Sequence, residues 1–202
     1  MRKTTLQGMA LLTGLTILAG CQQAQENPKK PVVAVSVAPQ AGLVKLLVGG
    51  RAEVMTLVTP GQSPATYEPT PLQMSRLASA WLYVRVGAPF ERGFADKLSS
   101  QHPTLKVLDM REVVPLLTKA GAPLRPGADK NQADHHLWLD PQNIKLQARA
   151  IAKVLVEKDP AGREGYQLNL QDLEKALDLL DASIRSRLKA FSGRRFMVHH
   201  PA

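Results

Sequence analysis

Four of the five histidines in this chain fall in two short segments. One is Asp134-His135-His136-Leu137-Trp138-Leu139-Asp140-Pro141, the other His199-His200-Pro201-Ala202. Imidazole is the commonest side-chain metal ligand and binds as the neutral ring. Histidines gathered from separate strand ends would make a zinc site, or a manganese site if carboxylates completed it. A third segment, residues 60–71, carries Ala65, Tyr67 and Glu68 between prolines. All three segments fall at expected strand-to-helix junctions, where open α/β sheets place their ligand crevices.

Each of these residues also has a plain structural reading. Paired loop histidines are often merely solvated. Glu68 and Asp134 either approach a metal or serve as loop-shaping and helix-capping carboxylates. Trp138 and Tyr67 read as crevice walls, and His102, before Pro103, as a surface residue. Enzymatic signals are missing: there is no Gly-x-Ser-x-Gly and no His-Glu-x-x-His. A metal-dependent hydrolase built on the same histidines would need a general base, for which Glu68 is the visible candidate. Residues 86–91 hold one glycine where phosphate-cradling loops hold several.

The elements that must position these segments alternate between apolar β-branched runs and helical patterns, which predicts an α/β lobe with a parallel sheet and crossover helices. Strands are expected at residues 31–37, 53–58, 81–86 and 105–109, and helices at 42–48, 70–79 and 90–99. Residues 115–133, rich in Gly, Pro and Ala, read as a surface loop. Asp140-Pro141 looks like an N-cap with proline at the first helical position, opening a helix to about residue 158. A long helix follows at about 162–191, with Leu170, Leu173, Leu177, Leu180, Ile184 and Leu188 spaced by three and four. Its length suggests a spine joining two lobes. The apolar run 195–199 reads as the first strand of a second lobe. The expected division is therefore 31–160 for the first lobe, 161–192 for the linking helix and 193–202 for the start of a truncated second one.

The amino-terminal end carries a different message. Arg2 and Lys3 precede an apolar run over residues 6–19, the length of a secretory signal rather than a membrane span. Leu18-Ala19-Gly20-Cys21 ends it, and Cys21 is the single cysteine in the sequence. Residues 1–20 resemble a bacterial lipoprotein signal, which implies that Cys21 is lipidated and that 21–30 form a polar tether. No thiol then remains for a disulfide or a thiolate metal site. The formal charge of +9 comes from scattered basic residues with 4% aromatics, and nothing interleaves cations with stacking rings. Nucleic acid is not an expected partner.

The segments Pro-Ala-Thr-Tyr-Glu-Pro-Thr-Pro, His-His-Leu-Trp-Leu-Asp-Pro and Phe-Met-Val-His-His-Pro-Ala, taken in this order, resemble the zinc/manganese solute-binding proteins of ABC transporters. That family includes zinc-uptake binding proteins and the lipoprotein adhesins of manganese uptake. The resemblance implies a Zn2+ (alternatively Mn2+) ion held between two lobes and handed to an ABC permease and its ATPase, with no catalytic step. It implies an exported protein, anchored to the membrane and facing the periplasm or cell exterior. By the same resemblance the metal ligands are His136 and His200, with His135 and His199 beside them as non-ligands unless the alignment slips by one residue. The family's first ligand histidine corresponds to Ala65, which has no donor atom, and Glu68 is a possible substitute. The alternative is a lipid-anchored interaction module that has lost metal binding.

Overall fold

The computed structural model describes residues 30–195 and residue 197. Four strands, β1 (Val32–Val37), β2 (Glu53–Val58), β3 (Leu82–Arg85) and β4 (Lys106–Asp109), form one parallel sheet in the order β2-β1-β3-β4. Strand order reverses direction at β1, so the crevice beyond the carboxyl ends of β1 and β3 is the topological switch point.

Both faces of the sheet are covered, which is why its strands read as continuous apolar runs rather than alternating ones. On one face, Val33 and Val35 of β1 and Leu82 and Val84 of β3 pack against α1 (Ala38–Val48), α4 (Pro141–Lys158) and α5 (Arg163–Leu188). On the other, Ala34 and Tyr83 pack against Leu77 of α2 (Pro71–Ala78) and Leu98 of α3 (Ala95–Gln101).

The strands and helices expected over residues 31–191 are present, with local differences. α1 begins at Ala38 rather than 42, because Pro39 sits in its first turn, where the missing N–H is not needed. It ends at Gly49 in the left-handed conformation, φ 55°. The helix expected over 90–99 is split into a 3-10 turn, Pro89–Gly93, and α3. Between them Phe94 leaves helical geometry at φ −133°, while the Glu91 side chain folds back onto the amides of Val86 and Gly87. The segment 115–133 is tied down more than a surface loop would be: Leu117 bridges to Pro123 and Thr118 to Ala133, and Ala133 is fully buried.

α4 starts where Asp140-Pro141 predicts, with the Asp140 carboxylate accepting from the Gln142 amide at 2.8 Å. α5 runs 26 residues, about 39 Å at the usual rise. Tyr166, Leu170, Leu173 and Leu177 pack into the lobe, whereas Leu180, Ile184 and Leu188 are exposed. The strand expected over 195–199 lies for the most part outside the described residues. No helix among the described residues is long and apolar enough to cross a membrane.

Candidate metal site

A cavity of about 440 Å³ opens at the switch point. Three walls come from the segments that follow β1, β2 and β3, and a fourth from the run before α4. Val37 closes the end of β1; Ser63, Pro64 and Ala65 come from the loop after β2. Val86, Ala88 and Pro89 follow β3. Asp134, His135, His136 and Trp138 form the remaining wall, with Lys119 at its side.

The β2 loop is held by Gln73 in the first turn of α2. Its Oε1 accepts from the Thr70 amide at 2.9 Å and the Tyr67 hydroxyl at 2.6 Å, and its Nε2 donates to the Leu57 carbonyl at 3.0 Å. Thr70 completes a reciprocal cap by accepting from the Gln73 amide. Tyr67 is thereby buried, edge-on to Phe90 with ring centroids 5.2 Å apart.

The histidine wall is shaped by Asp134. Its Oδ1 accepts from the His136 amide at 3.0 Å and from His136 Nδ1 at 2.6 Å. Burial opposes the Asp134 charge, but the bonds from His136's amide and ring outweigh it and hold the carboxyl below its ordinary range. An ionised carboxylate has no proton to give, so Nδ1 carries the hydrogen and a neutral ring keeps its lone pair on Nε2. A carboxylate on the far nitrogen is the usual way a metal-ligating imidazole is oriented and made more basic. Trp138 meets the His136 ring edge-on at 5.4 Å. Downstream, Gln147, almost fully buried on α4, donates to the Leu137 carbonyl at 2.8 Å.

His135 lines the same cavity, with Nδ1 enclosed and lacking a hydrogen-bond partner among the described residues. Burial first, then the charges of Arg111 and Arg92, push its pKa down, so its ring is neutral.

The structure brings Ala65, Asp134, His135 and His136 to one cavity. Glu68 is exposed and does not line it. His199, His200 and Cys21 lie outside the described residues. Among the described residues no three His, Cys, Asp or Glu side chains converge on a point suited to a metal ion. Orienting the His136 ring is neither of the two roles the sequence suggests for Asp134, while Gln73 is signalled by the capping-box spacing Thr70-x-x-Gln73, though its bonds to Tyr67 and Leu57 are not.

Proteins similar to this chain are longer than it. The manganese ABC transporter substrate-binding lipoprotein PsaA of Streptococcus anginosus is 26% identical over 198 residues, covering 95% of this chain and 64% of the relative. The iron-binding protein YfeA of Yersinia pestis is 29% identical over 177 residues, covering 86% of this chain and 55% of its own. A crystal structure of a ZnuA deletion mutant with zinc bound superposes with a TM-score of 0.72 at 33% identity, covering 86% of this chain and 64% of that one. This chain thus spans less than two thirds of the length of these relatives. Residues 33–202 match one family along their whole extent, and the chain belongs to that family, zinc-uptake complex component A, periplasmic.

Proposed function

We propose that this protein captures a divalent transition metal outside the cytoplasm, zinc in preference to manganese, and delivers it to an ABC-type permease and its ATPase. The observation that carries this reading is the Asp134–His136 pair on the wall of the switch-point cavity. It sets an oriented imidazole in that wall, the donor type that suits zinc better than manganese. His200 is the proposed second ligand, on a second lobe joined through α5, whose exposed Leu180, Ile184 and Leu188 suit a spine that continues into further structure. Binding by a lipoprotein relative named for manganese and another named for iron leaves the cargo class as divalent metal, and the imidazole donors favour zinc within it.

Ala65 supplies no donor on the opposite wall, and the exposed position of Glu68 makes it a poor replacement. Water is the better candidate to complete the coordination, at reduced affinity. Calorimetry with zinc and with manganese on the intact gene product tests the reading. Zinc binding that is sharply weakened by His136→Ala and tightened by Ala65→His supports it. If neither metal binds the wild type and Ala65→His recovers nothing, an anchored interaction module becomes the better reading, which the donorless Ala65 favours. The proposed anchor is tested separately: Cys21→Ser should release the protein from the membrane fraction, and retention there would refute a lipid on Cys21.

A further inference from the structure

We propose that Arg111 and Asn131 are positioning residues that lock the histidine wall of the cavity to the wall formed after β3. The inference rests on His136 as a metal ligand. Arg111 lies two residues beyond β4 and is the centre of a chain of polar contacts that reaches Val86 on one side and Asn131 on the other. Its Nη2 donates to Asp109 Oδ2 at 2.6 Å and its Nε to Asp109 Oδ1 at 3.0 Å. Its remaining arm, Nη1, donates to Asn131 Oδ1 at 3.0 Å.

On one side the chain continues into the β3 wall. Asp109 faces Nε of the buried Arg85 at 3.5 Å, and Arg85 Nε donates to Glu91 at 3.1 Å. The Glu91 carboxylate, fully buried, accepts from the Val86 amide at 3.2 Å and the Gly87 amide at 2.8 Å. Gly87 has φ +80°, and a Cβ there would collide with the Arg111 guanidinium, so Arg111 lies directly against this backbone.

On the other side Asn131 stands in the 3-10 turn Lys130–Gln132, three residues before Asp134. Its own amide is fixed by Asp129 Oδ1 at 2.9 Å, and the intervening Ala133 is fully buried. A shift at Asn131 therefore passes over a short, clamped lever to the residue that orients His136. The loop is also held beyond this point, by the Asp134 amide on the Leu117 carbonyl at 2.8 Å and by Gln147 on Leu137. Loss of the Asn131 contact should thus loosen the wall without unfolding it.

Attraction for the metal does not explain an arginine here, since its charge repels a cation in the cavity. Geometry does: a planar fork holds Asp109 with two donors and Asn131 with a third, which a lysine ammonium cannot reproduce.

The test is zinc affinity by competition with a chromophoric chelator, together with the visible absorption of bound Co2+, on the intact gene product. Asn131→Ala should weaken zinc binding about tenfold, within the usual range for outer-shell partners of a metal ligand. It should also alter the Co2+ bands and leave thermal unfolding of the metal-free protein close to wild type. Asn131→Asp, which keeps the acceptor, should restore both, and Arg111→Lys should not. Wild-type affinity in Asn131→Ala beside a loss in His136→Ala would overturn the positioning role alone, as would equal weakening in Asn131→Ala and Asn131→Asp. Zinc binding that survives His136→Ala would overturn the ligand reading and this inference with it.

Discussion

Asp134 holds His136 twice, once through the amide at 3.0 Å and once through ring Nδ1 at 2.6 Å. Backbone and side chain of the proposed ligand are thereby set by one carboxylate, itself pinned by its amide to Leu117. Removing it with Asp134→Ala should weaken zinc binding about 10- to 100-fold although no ligand is lost. Asp134→Asn, which can still accept from Nδ1, should lose less. Calorimetry on the two variants checks this, and equal affinities for Asp134→Ala and wild type would show that ring orientation is immaterial.

The opposite wall depends on Gln73 in the same way, through bonds to Thr70, Tyr67 and Leu57. Gln73→Ala leaves the buried Leu57 carbonyl and the Tyr67 phenol short of partners, a change worth about 1–3 kcal/mol. Thr70→Ala removes only the N-cap and should cost about 1 kcal/mol. Urea unfolding of both variants gives the comparison. A Gln73→Ala midpoint no lower than that of Thr70→Ala would mean that the loop bonds add nothing to the cap.

After β3, Glu91 is fully buried and paired with Arg85. Glu91→Ala strands a buried guanidinium and leaves the Val86 and Gly87 amides without their acceptor. Breaking a buried pair from one side destabilises by about 3–5 kcal/mol. Arg85 keeps Asp96 and a more distant Asp109, so the lower end of that range is expected. Equilibrium denaturation measures it, and a loss below about 1 kcal/mol would place the pair among weak surface contacts.

The sheet was legible because its strands are buried on both faces and so read as apolar runs between turn signals. Asp140-Pro141 marked the start of α4 because capping is local chemistry. Helix starts failed where local chemistry was ambiguous: Pro39 looks like a breaker before it is seen inside the first turn of α1. The split at Phe94 goes with Glu91 turning inward to bind backbone, an orientation that spacing does not encode. His136 and Ala65 were placed by flanking motifs, and the structure brings them to one cavity. Arg111 and Asn131, twenty residues apart, meet only through the fold.

Acid should unfold this lobe partly through Asp109. Burial works to raise its pKa, but the hydrogen bonds from the Arg111 side chain and amide prevail, and the folded value lies below the ordinary 3.8. Because the unfolded chain binds the proton more tightly, the stabilisation is complete above the ordinary value. It is lost as pH falls through 3.8 toward the folded value. Asp134 is shifted in the same direction and adds to the slope. The urea midpoint of the wild type should therefore drop steeply below about pH 4.5. Asp109→Asn keeps the shape but removes the charge facing Arg85 and Arg111, so it should be less stable near neutrality and show a shallower acid slope. The two curves should converge at the lowest pH, where the wild-type carboxyl is also protonated. Parallel curves, offset by a constant amount down to low pH, would assign the acid sensitivity to other carboxylates.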